Sequence, residues 1–71
     1  MLNIIDILKQ DLKTGETIFC LQVSTRDDLP SIGAQLQDGT VGAGTIAQVV
    51  QEDAFVTLDA DGDYYPAAPE T

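Results

Sequence analysis

Cys20 is the only cysteine in a chain of 71 residues that has no histidine. Together these two facts remove the staples on which small folds lean. One thiol cannot close an intrachain disulfide, and a zinc site needs several Cys or His ligands. A chain this short buries only about 60% of the surface its unfolded form exposes, so its core is thin. It makes one domain, residues 1–71. Oligomerisation, or docking on a larger assembly, is the route to security that remains. The absence of imidazole and of a thiol pair also leaves little from which to build an active site. The expectation is a non-enzymatic protein, without a cofactor, that acts through surface and shape.

Hydrophobic residues make up 44% of the chain. That is enough for a folded core and too much for a disordered acidic tail. Twelve acidic side chains oppose three basic ones, Lys9, Lys13 and Arg26, for a net charge of −9. A field of that sign repels phosphate backbones and anionic lipid, so neither nucleic acid nor membrane is an expected partner. The charge reads either as colloidal repulsion that aids solubility, or as a complement to a basic protein surface or a mimic of nucleic acid. No stretch approaches the roughly 20 apolar residues of a membrane span. The apolar start, Met1 to Leu8, lacks the basic residues and cleavage site of a signal peptide. A free thiol without a disulfide fits a reducing compartment.

The first thirteen residues admit two readings. Met1, Ile4, Ile5, Leu8 and Leu12 recur at spacings of three and four, with polar residues between them, as on an amphipathic helix. Asn3 can cap it, Lys13 suits its negative end, and Gly15 suits the position after it. The rival is a strand that turns at Lys13-Thr14-Gly15-Glu16 into a hairpin. Strict alternation fails, and the spacing favours the helix.

Thr17 to Val23 is the clearest strand. Phe19, Leu21 and Val23 line one face, and Ile18 and Cys20 make the other apolar too. Such a strand is central, or one face is covered by the helix or by another subunit. Ser24 to Gly33 interrupts it. Thr25 with Asp28 three residues on resembles a capping box, and Pro30 and Gly33 limit the result to a single turn. Gly33 to Gly44 holds four of the six glycines and an Asp38-Gly39 turn signal, and reads as short extended pieces. Thr45 to Gln51 and Ala54 to Leu58 are further strands. Asp59-Ala60-Asp61-Gly62 is a type I turn with Gly62 left-handed, and Asp63 to Tyr65 is the returning partner. Pro66 and Pro69 lack donors, so 66–71 is an extended tail. The fold expected is mainly β, a small barrel or sandwich-like α+β arrangement. It has a helix over 1–13, a β-rich core over 17–65 and that Pro-containing tail.

Few residues carry chemistry. Asp59, Asp61, Asp63 and Glu70 echo the spacing of a calcium-binding helix–loop–helix. Tyr64 stands where that loop needs glycine, however, and flanking helices are lacking. An acidic turn, with at most a weak millimolar Ca²⁺ contact, is the reading. Asp27 and Asp28 are adjacent carboxylates of the kind that cap a turn. Cys20 has no histidine to activate it and is a small buried hydrophobe. The run GTVGAG from Gly39 to Gly44 lacks the Lys-Ser/Thr of a phosphate loop. Tyr64 and Tyr65 point to opposite faces of one strand. One should pack inward with Phe55 and the other point outward as an interface anchor; the alternative is two half-buried tyrosines that cap a small core.

From Val23 onward the chain resembles small bacteriophage virion proteins. The residues that carry the resemblance are STRDDLP (Ser24 to Pro30), DGT (Asp38 to Thr40) and TLDADGDYYP (Thr57 to Pro66). They look like the turns and hairpins of phage head decoration and fibre-associated proteins. The resemblance implies a capsid decoration, or cement, protein, trimeric or docked at capsid symmetry axes. Its partner would be the major capsid protein or another virion protein, and its place the virion, assembled in the host cytoplasm. Candidate contacts are Tyr64, Tyr65, Pro66 and Pro69, with Leu2 and Ile5 if the first segment docks outward. A neck, tail or fibre component is one alternative. Another is a small acidic inhibitor of a nucleic-acid-processing enzyme, acting by charge mimicry. Mimicry needs carboxylates in a spaced row, whereas those of this chain scatter except at 59–63.

Overall fold

The structure is a computed structural model and describes residues 1–65. Seven strands form one mixed sheet: β1 (Leu2–Gln10), β2 (Glu16–Val23), β3 (Gln35–Leu36), β4 (Gly39–Val41), β5 (Ile46–Val49), β6 (Ala54–Leu58) and β7 (Tyr64–Tyr65). The order across it is β3-β4-β2-β5-β6-β7, and β1 pairs with β2. The mainly β expectation holds. The described residues contain no α-helix, only 3₁₀ turns at Arg26–Asp28 and Val50–Glu52. Strand Tyr64–Tyr65 follows the Asp59–Gly62 turn as expected, with Gly62 at a φ of 93°.

The helix expected over 1–13 is a strand instead. β1 runs antiparallel to β2, from Leu2 opposite Val23 to Gln10 opposite Thr17, and the register shifts once at Ile5 and once at Leu8. Each shift inserts one residue that the partner strand does not match, as in a β-bulge. The β1 residues opposite inward-facing β2 positions are therefore Leu2, Ile4, Ile7 and Gln10. Two bulges stretch a two-residue period into spacings of two, three and three, close to the repeat of a helix. Gly15, at a φ of 78°, closes the hairpin turn rather than a helix end. The carboxylate of Asp11 accepts the Lys13 amide at 2.9 Å and orders the same turn.

β2 is the central strand. β1 follows one edge along its length. On the other edge β4 pairs in parallel at Glu16 and Thr17, and β5 pairs in parallel from Cys20 to Val23. Two short strands thus share one edge end to end, and residues 42–45 span the join. The Gly42 amide donates to the Thr17 carbonyl at 2.9 Å there, which holds the span against β2.

One face of the sheet carries the core: Phe19, Leu21, Val23, Val41, Ala47, Val49, Val56 and Leu58, all buried. Among the described residues no second sheet covers it. Leu29, Ile32, Ala34 and Leu36 fold across this face and, with Leu2, Ile4 and Tyr64, close it. The β3–β4 turn reaches far enough to form a groove of about 450 Å³ with Leu2, Asn3 and Ile4. Fully burying one such Val, Leu or Phe side chain is worth about 1.5–3 kcal/mol.

The segment after β2 makes the single turn expected of it, but not by a capping box. Thr25 makes no side-chain cap bond at the Arg26–Asp28 turn. The Asp28 carboxylate pairs instead with the Met1 ammonium, which holds its pKa below the usual value. The strand from Thr45 ends at Val49, two residues before the expected Gln51. Val50 leaves the ladder for the second 3₁₀ turn, and Asp53 closes that turn with a left-handed φ of 52°. Arg26 bridges the two turns through its Nε, 2.6 Å from Glu52 Oε2.

Candidate interaction surface

Among the described residues, none forms a layer over the other face of the sheet, turned away from the core. Its composition follows from register. One row across five strands reads Asp6, Cys20, Ile46, Thr57, Tyr65. The next reads Asn3, Gln22, Gln48, Phe55. Gln22 donates to Gln48 at 3.2 Å, so the polar pair at the centre of this face is satisfied within it. Ile18, Cys20 and Ile46 are half-buried by their neighbours alone.

Phe55 and Tyr65 are the large side chains of this face. They are 61% and 54% exposed. Tyr65 pairs with Thr57 across the β6–β7 ladder. Phe55, two residues back along β6, is therefore its diagonal neighbour, a spacing aromatic rings can bridge. Burying two aromatics that lie open in the free protein is a large apolar gain on docking, which is why such residues anchor interfaces.

The tyrosines divide as a strand demands, with one change of partner. Tyr64 turns inward, but Phe55 does not meet it there, because Phe55 lies on the opposite face with Tyr65. Tyr64 packs against the core cluster, and its hydroxyl donates to the Pro30 carbonyl. Burial pushes its phenol up to about 12. Tyr65 is thus the exposed member. Leu2 is half-buried against the core of its own chain, whereas Ile5, displaced by its bulge, is 56% exposed. Pro66 and Pro69 lie outside the described residues.

Charge is sorted over this molecule. Among the described residues, Asp6 is the only acidic side chain in the interior of a strand. Glu16 opens β2, and Asp11, Asp27, Asp28, Asp38, Glu52, Asp53, Asp59, Asp61 and Asp63 stand in turns. The outer face between those turns carries Asp6 and Lys9 on its β1 margin and no charge on the β2, β5, β6 or β7 positions of the two rows. A neutral, partly aromatic face bordered by carboxylate-bearing turns suits a protein surface with an apolar centre and basic surroundings.

The other candidate residues have local duties. Asp59 turns its carboxylate onto the amides of Asp61 and Asp63, at 3.0 and 2.8 Å, so it caps its own turn. Asp28 holds the amino terminus and Asp27 is exposed, so the two do not converge on one pocket. Cys20 is half-buried in the centre of the outer face. Sequence reasoning marked Phe55 as a strand residue and missed its place on this face. The alternation with Val56 and Leu58, both in the core, is the signal that could have placed it outward.

Comparison of the chain with protein-family models, with curated protein sequences and with solved structures gives no match.

Proposed function

We propose that this protein is a non-enzymatic structural module of a bacteriophage virion, a decoration protein that docks on the capsid through the outer face of its sheet. The observation that carries the reading is the neutral outer face with Phe55 and Tyr65 exposed, in a chain of net charge −9. Phe55 and Tyr65 supply the anchors, Ile46 and Cys20 the apolar floor, and the acidic turns the complement to basic groups of the shell. The motifs STRDDLP and TLDADGDYYP add the resemblance to virion proteins. Docking of this kind favours the assembled shell by mass action, because the protein binds the assembled state and not its separated parts.

The test is quantitative mass spectrometry of purified virions made from the genome that encodes the chain. Hundreds of copies per particle support decoration of the shell, and a handful move the protein to the neck, tail or fibres. Absence from particles, with abundance in infected cells, overturns the virion reading and favours an acidic inhibitor. Particles grown with the Phe55→Ser, Tyr65→Ser double variant should lose the protein if the outer face is the docking surface.

A further inference from the structure

β1 pairs with β2 along one edge. Among the described residues nothing pairs with its other edge, and Ile5, Ile7 and Leu8 on it are 56%, 42% and 51% exposed. A long apolar edge strand is a template for another strand, and proteins normally guard it with charges or bulges. β1 has both, Lys9 and two bulges. Their placement makes the edge complementary to itself.

Counted by its ladder with β2, β1 places Asp6 opposite Cys20, Ile7 opposite Phe19 and Lys9 opposite Ile18. The bulge at Leu8 therefore makes Asp6 and Lys9 the two flanks of Ile7 on one face, although they are three residues apart. We propose that two copies of this chain pair their β1 edges antiparallel about a two-fold axis at Ile7, so that Asp6 of each copy stands opposite Lys9 of the other. A two-fold normal to the sheet keeps each residue on its own face, as antiparallel pairing requires. The contact is isologous and closes at two copies, so it does not run on into a fibre. It joins the two outer faces into one wider surface.

Two observations favour a second copy as the occupant. First, the charge: stacking two outer faces would bring acidic turns against acidic turns, whereas the β1 edge carries one acid and one base at matched distances from its centre. Second, the backbone: in the single chain the Ile7 amide is held by Asp6 Oδ1 at 2.8 Å, a substitute for a ladder partner. Pairing hands that amide to the carbonyl of Ile7 in the other copy and turns the Asp6 carboxylate toward Lys9. This inference goes beyond the capsid reading and does not depend on it, since it concerns the free protein in solution.

Sedimentation equilibrium of the full chain, from micromolar to millimolar concentration, tests it. The expected mass at the upper end is twice 7.6 kDa. Asp6→Lys alone, or Lys9→Asp alone, sets like charges opposite each other twice per dimer and should raise the dissociation constant about tenfold. The two substitutions together exchange the charges and should restore it. Hydrogen exchange of the wild-type Ile7 amide should slow as concentration rises, a readout that needs no variant. A monomer throughout, a trimer, or a dimer indifferent to the single substitutions overturns the proposal. So does a double variant that stays as weak as the singles.

Discussion

The amide of Phe19 donates to the side-chain oxygen of Thr45 at 3.2 Å, at the point where β4 ends and β5 begins along one edge of β2. Thr45 Oγ1 in turn donates to the Gly42 carbonyl at 2.8 Å. A buried hydroxyl thus takes the place of a missing ladder bond on the most buried strand of the fold. Thr45→Val keeps the shape and leaves the Phe19 amide unpaired in the interior, while the Gly42 carbonyl keeps only the Thr45 amide at 3.4 Å. Each buried orphan costs about 1–3 kcal/mol. The variant should lose at least that much in urea unfolding, and Thr45→Ser should recover most of it.

Thr17 presents the opposite case. Its side chain is fully buried, and among the described residues Oγ1 has no hydrogen-bond partner. Thr17→Val removes a desolvated group without changing shape, so it should be neutral or stabilise by about 1 kcal/mol. The same oxygen explains Gly39, where a Cβ would stand 2.9 Å from it on a backbone at a φ of 132°. Gly39→Ala should cost about 1–3 kcal/mol. Denaturation midpoints of the two variants should therefore move in opposite directions, or the first should not move.

Tyr64 ties stability to alkaline pH. Its pKa rises from 10.0 in the unfolded chain to about 12 in the fold because burial disfavours the phenolate. Above pH 10 the unfolded chain gives up this proton and the folded chain keeps it. The contribution is therefore complete below pH 10 and falls away as pH climbs toward 12. Tyr64→Phe removes the titrating group and should flatten this decline. It also loses the hydrogen bond to Pro30, at a cost of about 1 kcal/mol at neutral pH. Chemical denaturation of both proteins at neutral pH and through the alkaline range checks both effects.

Phe55 and Tyr65 should separate folding from docking. Both are exposed, so Phe55→Ser and Tyr65→Ser should leave unfolding free energy within about 0.5 kcal/mol of the parent. Leu21→Ala, in the core on the other face of the sheet, should cost about 2–5 kcal/mol. A large loss of stability in the two surface variants would mean that these rings stabilise the single chain rather than a complex.

The sequence was most legible where pattern and structure share a period. Phe19, Leu21 and Val23 on β2 and Val56 and Leu58 on β6 alternate without interruption, and all five lie in the core. The Asp59–Gly62 turn was legible because its chemistry is local: a carboxylate that caps amides, and a glycine at positive φ. β1 was misread because bulges at Ile5 and Leu8 altered its period, and a bulge belongs to a pair of strands rather than to either one. The position of Phe55 followed the same rule, since its face depends on the register of β6 against β5.

By itself, then, the sequence determined a mainly β chain that can form no internal disulfide and has no histidine chemistry, and a strand over Thr17 to Val23 that is apolar on both faces. Composition, alternation and turn chemistry act within a few residues, and they suffice for that much. Only the tertiary structure decided that residues 1–13 make a bulged edge strand and a turn, that β4 and β5 share one edge of β2, and that Phe55 joins Tyr65 outside. Each of these depends on which strands meet and in what register. That choice is made by burial summed over the whole core and not by any one segment.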